Sequence, residues 1–258
     1  MSRIEGSMKK LASKAVAKGK LDEATAEANV ATALGAITPT LDVAALGSCD
    51  VIIEAVIEDL SLKERLYGEI GSVVQDSCII ASNTSSLSIG VMAGYCGRPA
   101  QMVGLHFFNP VQLMQLVEVV KTDLTSPDIF ARAMGFTQAL AKKPVECVDT
   151  PGFVVNRLLV PYICSALLLV ERGVASPEDV DTAMRLGAGH PMGPVALADY
   201  VGLDTCLSII SGWHKEYPDE AAFTVPASLA AMVQAGKLGR KSGEGFCLWD
   251  GDKLAGYP

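Results

Sequence analysis

Apolar positions along this chain follow two different rhythms, and the change from one to the other divides it. Over residues 1 to 34, Lys, Ala, Glu and Leu recur at helical spacing, with Gly19 as the break between two predicted helices. Cys49 to Val56 is a short β-branched run with few polar positions, the pattern of a parallel strand buried on both faces. Ser61-Leu62-Lys63-Glu64 reads as a capping box that opens a helix to about Val74. Further strands are predicted over Ile79 to Ser82, Met102 to Phe107, Leu116 to Val120 and Val145 to Val148. Between the last two, Ser126 followed by Pro127 starts a helix running to about Ala141. Strands alternating with helices predict an α/β fold with an open parallel sheet.

After Asp149-Thr150-Pro151-Gly152 the apolar segments lengthen and keep helical spacing. Phe153 to Arg172 is predicted as one helix kinked at Pro161, and Ser176-Pro177 caps another. Pro194 to Trp213 and Pro226 to Ala235 supply two more. The expected organisation is therefore a sheet domain over residues 1–150 and a mainly helical domain over 151–258.

Half of the residues are hydrophobic and 19% are charged, enough apolar material for a packed core. Acidic residues outnumber basic ones 29 to 21, with no Lys/Arg stripe interleaved with aromatics, which argues against a nucleic-acid partner. The longest charge-free apolar run, Leu158 to Val170, contains Pro161 and is too short for a membrane span. The seven scattered cysteines, never spaced as Cys-x-x-Cys, read as buried free thiols in a reducing compartment, with no metal site and no disulfide frame.

Only three histidines are present, so each one can be weighed. His106 falls at the C-terminal end of a predicted strand, the end that faces the ligand crevice in an open α/β sheet. Glu118 lies inside the next strand among apolar neighbours, where a carboxylate needs a partner. If the two strands are adjacent, the carboxylate can hold one imidazole nitrogen and leave the other free to take a proton. Spacing alone leaves a structural pair and a general-base dyad equally open. His190, in a Gly-rich loop, and His214, at a helix end, have no comparable setting.

Ser82 to Ser86 gathers small hydroxyl and amide side chains after a strand, and Asn156 places an amide on an apolar helix face. Gly187 to Gly193 imitates a dinucleotide fingerprint, but it follows a helix and carries Pro191, so it is a helix-linking loop.

Together these segments resemble the short-chain L-3-hydroxyacyl-CoA dehydrogenases, relatives of the 3-hydroxybutyryl-CoA dehydrogenases. The resemblance rests on Val51-Ile-Ile-Glu-Ala-Val-Ile-Glu58, Ala81-Ser-Asn-Thr-Ser-Ser86, Gly104-Leu-His-Phe-Phe-Asn-Pro110, Leu116-Val-Glu-Val-Val120, Asp149-Thr-Pro-Gly-Phe-Val-Val-Asn-Arg157 and Gly239-Arg-Lys-Ser-Gly-Glu-Gly-Phe246. It implies a Rossmann-type doubly wound sheet followed by a helical dimerisation domain, and oxidation of L-3-hydroxyacyl-CoA by NAD in fatty-acid β-oxidation. By the same resemblance His106 is the general base, Glu118 orients it, and Ser85 and Asn156 contact the reacting oxygen or its neighbours. Further NAD contacts fall on Ala55, Glu58, Lys63, Ser85, Asn109 and Lys241, and CoA contacts on Ser7, Lys14 and Ser85. A homodimer is implied, with the mitochondrial matrix as the location and the cytoplasm as the alternative.

The family's N-terminal strand, Gly-rich phosphate turn and ribose-binding acid have no counterpart in these residues, so the Rossmann sheet is expected to be partial. The expectation is a piece of a complete enzyme. Two other readings are a related 3-hydroxyacid dehydrogenase of gulonate type and a non-catalytic CoA-binding or structural dimer.

Overall fold

The computed structural model describes residues 1–258. The chain opens with a helical hairpin, α1 (Ser2–Ala17) and α2 (Glu23–Gly35), broken at Gly19 as the spacing predicts. Asp22 caps α2 by accepting from Thr25 N. Of the whole hairpin only Ala26 is buried, so the two helices lean on each other and stand out from the rest of the protein.

Five strands follow in sequential order: β1 (Val51–Glu54), β2 (Ile79–Ser82), β3 (Met102–Phe107), β4 (Leu116–Lys121) and β5 (Lys143–Val148). Helices α3 (Leu60–Val73), α4 (Ile89–Cys96) and α5 (Pro127–Ala139) connect them. Alternate side chains of each strand face opposite sides, as the pleat requires. Ile52, Ile80, Met102 and Val120 pack with α3 and α4 on one face. Ile79, Ala81, Val103, Leu105, Val117 and Val119 pack with α5 on the other. This two-sided burial explains why the inner strands β2, β3 and β4 read as continuous apolar runs, but β1 and β5 are edge strands, and Ile53 is exposed, so the expected burial of the Cys49–Val56 run on both faces does not hold.

Several details depart from the pattern-based expectations. β3 and β4 pair antiparallel, whereas β1–β2, β2–β3 and β4–β5 are parallel. No crossover helix separates β3 from β4; a short connection turns the chain back, which allows only antiparallel pairing. The cap of α3 is Asp59, which accepts from Leu62 N, so the expected Ser61 capping box does not form. The helix α4 escaped prediction because it is only eight residues long and apolar nearly all round.

The second unit contains α6 (Val155–Glu171), α7 (Pro177–Ala188), α8 (Pro194–Val201), α9 (Leu203–Glu216) and α10 (Ala227–Gln234). α6 runs uninterrupted through Pro161. The single helix expected over Pro194 to Trp213 is two helices bent by 96° at Gly202. Gly202 takes φ 107°, a conformation costly for any residue with a Cβ. No single helix is long and apolar enough to cross a membrane. All seven cysteines are free thiols, five of them buried.

A closing hairpin, β6 (Leu248–Asp250) and β7 (Lys253–Gly256), was not expected. It is anchored by Asp199, a fully buried carboxylate that accepts from Phe246 N, Cys247 N and Trp249 Nε1 at 3.0, 2.9 and 3.0 Å. Burial raises the Asp199 pKa despite these donors. Asp199→Ala strands three donors in the interior, each costing about 1–3 kcal/mol. We expect a stability loss of at least about 3 kcal/mol, measured by denaturant unfolding, with the Trp249 fluorescence moving toward that of a solvent-exposed indole.

Candidate active site

In parallel strands the C-terminal ends lie at one edge of the sheet, and here that edge carries Glu54, Ser82 and His106. Register decides what faces His106. In the antiparallel β3–β4 pair, His106 stands directly opposite Glu118, Leu105 opposite Val119 and Gly104 opposite Val120. A slip of one residue would put a valine there and turn Glu118 to the other face.

His106 and Glu118 therefore meet: Nδ1 lies 2.7 Å from Glu118 Oε2, with both side chains buried. The other carboxylate oxygen, Oε1, accepts from Val154 N at 3.0 Å and Val155 N at 2.8 Å, the N-terminal end of α6. Burial opposes ionisation of Glu118, but the His106 contact and the two backbone N–H groups outweigh it and lower its pKa. An ionised carboxylate only accepts, so Nδ1 carries the proton and the lone pair of neutral His106 sits on Nε2. Nε2 has no hydrogen-bond partner in the chain and is not among the buried unpaired atoms, which are Ser228 Oγ and Arg240 Nε, so it reaches the surface. Phe108 and Phe153 place their rings 4.5 and 5.7 Å from the imidazole, between centroids.

Beside this pair lies a second polar group. Ser85 follows β2 half-buried, and its carbonyl is approached by Asn156 Nδ2 at 3.5 Å, which joins these two predicted residues across the two units. Asn83 Oδ1 accepts from Phe107 N at 2.9 Å, tying the same loop to the end of β3. Glu58 accepts from Thr84 Oγ1 at 2.7 Å and from Ser85 N at 3.3 Å, and pairs with Lys63 at 2.8 Å. The Lys63 ammonium is buried and shared with Glu54 at 3.0 Å, so its charge reaches the crevice through Glu58. Ala55 and Asn109 are exposed at the ends of β1 and β3.

Glu54 escaped the sequence reading as a site residue. Its Oε2 accepts from Lys63, Tyr67 and Ser82 at 3.0, 3.0 and 2.8 Å, and its Oε1 from Val56 N. Burial works against its charge, but the Ser82, Lys63 and Val56 donors prevail and lower its pKa. The signal that could have found it is the one that marked Glu118, an acid inside an apolar strand. The turn at Gly152 and Phe153 was also missed as part of the site, because the contacts that matter come from its backbone.

Three expected residues stand outside this group. Ser7 lies on α1, where its hydroxyl accepts from Gln112 Nε2 at 3.3 Å, and Lys14 lies exposed two turns further along the same helix face. Lys241 is held by Asp204 Oδ1 and Thr205 Oγ1 on α9 at 2.7 and 3.0 Å, and the structure does not bring it to the sheet edge. His190 bonds Tyr162 at 3.3 Å within the helical unit, away from the pair.

The comparisons with known proteins concern the whole chain. Residues 1–150 match the family model described as 3-hydroxyacyl-CoA dehydrogenase, NAD binding domain, and residues 152–249 match the model of the C-terminal domain. The chain is 47% identical over 244 residues to the mitochondrial hydroxyacyl-coenzyme A dehydrogenase of Rattus norvegicus, covering 94% of this chain and 77% of that protein. It is 45% identical over 246 residues to a probable 3-hydroxybutyryl-CoA dehydrogenase of Deinococcus radiodurans, covering 95% and 86%. A crystal structure of (S)-3-hydroxybutyryl-CoA dehydrogenase from Ralstonia eutropha superposes with a TM-score of 0.86 at 39% identity, over 92% of this chain and 82% of that one. With both domain models matched in order and this level of identity along nearly the whole chain, the protein belongs to the 3-hydroxyacyl-CoA dehydrogenase family.

Proposed function

We propose that this protein oxidises L-3-hydroxyacyl-CoA to 3-ketoacyl-CoA with NAD, and runs the reverse reduction, using His106 as the proton carrier. The observation that carries the reading is the buried imidazole at the C-terminal sheet edge, hydrogen-bonded to Glu118 at Nδ1 and open at Nε2. In the oxidation, Nε2 accepts the proton of the C3 hydroxyl, and Glu118 stabilises the imidazolium that results. NAD, when bound, supplies the acceptor for the C3 hydride. In the reduction, the imidazolium returns its proton to the carbonyl oxygen.

The residues at the edge fit a nicotinamide nucleotide. The Ser85 hydroxyl and the Asn109 amide make no hydrogen bond within the chain and remain available to polar ligand groups. Glu58, its side chain 39% exposed, has room to accept from a ribose hydroxyl while Lys63 holds it in place from behind. The exposed Ala55 borders the same crevice, and Asn156 reaches it from α6 beside Ser85.

Ser7 and Lys14 share one face of a protruding helix that touches the 108–115 connection through Gln112. That face offers a hydroxyl and a positive charge to CoA in an otherwise acidic protein. Lys241 is retained as a cofactor contact only through the family resemblance. A homodimer built on the helical unit is supported by large apolar side chains left exposed there, Leu158, Val174 and Leu186 among them. The mitochondrial matrix is the reading for its location, with the cytoplasm as the alternative, and the Rattus norvegicus relative, mitochondrial by name, supports the first.

Acetoacetyl-CoA should be reduced with oxidation of NADH, while free 3-keto acids should turn over far more slowly; the opposite preference would remove the CoA thioester from the reading. His106→Gln should lower kcat by about 10²–10⁴-fold with little change in KM. Glu118→Gln should lower kcat by at least about 10²-fold, because the amide can donate to Nδ1 and reverse the tautomer. Steady-state kinetics of the two variants checks both.

The lowered pKa of Glu118 has a stability consequence with a definite sign. The folded state binds that proton less readily than the unfolded chain, so the stabilisation is complete above the ordinary value of 4.5 and is lost as pH falls through the folded pKa. Thermal unfolding measured from pH 7 down to pH 3 should show a shallower acid loss for Glu118→Gln than for the parent. Equal slopes would mean that Glu118 does not ionise differently on folding.

A further inference from the structure

Phe153 holds a conformation that its residue type disfavours. Its φ is 53°, in the left-handed region, and it follows Gly152 at 76°. Such a conformation persists in a non-glycine residue only where the surroundings fix it. Glycine or asparagine would take this backbone with less strain, so the phenyl ring must repay what the backbone costs.

The surroundings are specific. The Phe153 ring is buried in the cluster beneath α3 and α4, with Ile89 and Val120, and its centroid lies 5.7 Å from that of His106 at 57°. Phe153 N donates to Thr150 O at 3.0 Å, and Arg157 N donates to Gly152 O at 3.0 Å, which locks the turn at both ends. A Cβ at Gly152 would collide with the Trp213 ring and the Arg157 amide, so the turn is also wedged against the helical unit. The two residues after Phe153 supply the N–H groups that bind Glu118 Oε1.

We propose that Phe153 is a positioning residue for His106, acting twice through one side chain: its ring sets the plane of the imidazole, and its packing holds the left-handed turn that aims Val154 N and Val155 N at Glu118. The turn between the two units thereby fixes the Nδ1–H tautomer on which the open Nε2 depends. The proposal rests on the dehydrogenase reading for its catalytic consequence, while the tautomer itself can be observed without turnover.

Two substitutions remove the ring, one with and one without the backbone strain. Phe153→Leu keeps an apolar side chain and the backbone strain but removes the flat ring. Phe153→Gly removes the ring and relieves the strain. The chain has only three histidines, so nitrogen-15 NMR of the imidazoles resolves them, and His106→Gln assigns the His106 signals. In the parent, His106 should show a protonated Nδ1 and a bare Nε2. In both variants we expect a mixture of tautomers at His106 with His190 and His214 unchanged, and a loss in kcat between about tenfold and about a hundredfold, with KM within about twofold.

A purely structural Phe153 would lower the melting temperature and leave the His106 signals and kcat as in the parent, and that result in a folded Phe153→Leu protein would overturn the proposal. Should Phe153→Leu not fold, Phe153→Gly is read by the same criteria. If the parent shows no turnover of acetoacetyl-CoA but its His106 tautomer is fixed and is lost in the variants, the positioning role stands and the dehydrogenase reading falls.

Discussion

The carboxylate of Glu118 is the point through which the two halves of this protein and its chemistry are joined. One oxygen fixes the His106 imidazole, and the other receives two backbone N–H groups from the first residues of α6. A fully buried carboxylate is tolerated only when such donors replace its lost water. The same contacts that make the charge affordable thus dock the helical unit on the sheet and orient the histidine. Loss of any one of them would be felt by the other two.

A similar logic recurs around the sheet edge. Glu54 is buried in the preceding parallel strand and satisfied by Lys63, Tyr67 and Ser82, and through Lys63 it is linked to the half-exposed Glu58. Asp149, in the segment joining the two units, accepts from Ser88 Oγ and Gly90 N at 2.7 and 2.8 Å, where α4 begins. That segment is therefore tied at one end to α4 by Asp149, while its other end ties α6 to β4 through Glu118. Acid side chains meeting helix N-termini are favourable electrostatically as well as geometrically. They give the crevice a rigid floor, which suits the proposed alignment of a hydroxyl, an imidazole and a nicotinamide.

The open edges of the molecule have a different character. The α1–α2 hairpin contributes only one buried residue, yet it carries Ser7 and Lys14, the two positions proposed to contact CoA. In that proposal stability and ligand recognition are separated, as they are in many loop-borne sites. Membership of the family gives the NAD-binding domain, and the sheet edge places Glu58, Ser85 and Asn109 where their polar groups are open to a ligand.

The sequence by itself determined the α/β class, the position of every strand of the main sheet and the caps at Ser126 and Ser176, because short apolar β-branched runs and cap chemistry are local patterns. It also marked His106 and Glu118 as unusual, since a charged residue in an apolar strand needs a partner wherever it lands. Spacing alone did not determine that they were partners; only the family resemblance implied it. That was decided by the antiparallel register of β3 and β4, a long-range pairing that spacing does not encode. The Asp59 cap is itself a local contact, two residues before the one the pattern pointed to, whereas the bend at Gly202 and the hairpin anchored on Asp199 were decided, like that pairing, by tertiary contacts. So was the role of the turn at Gly152 and Phe153, whose backbone N–H neighbours complete the shell of Glu118 although no side-chain pattern announces them.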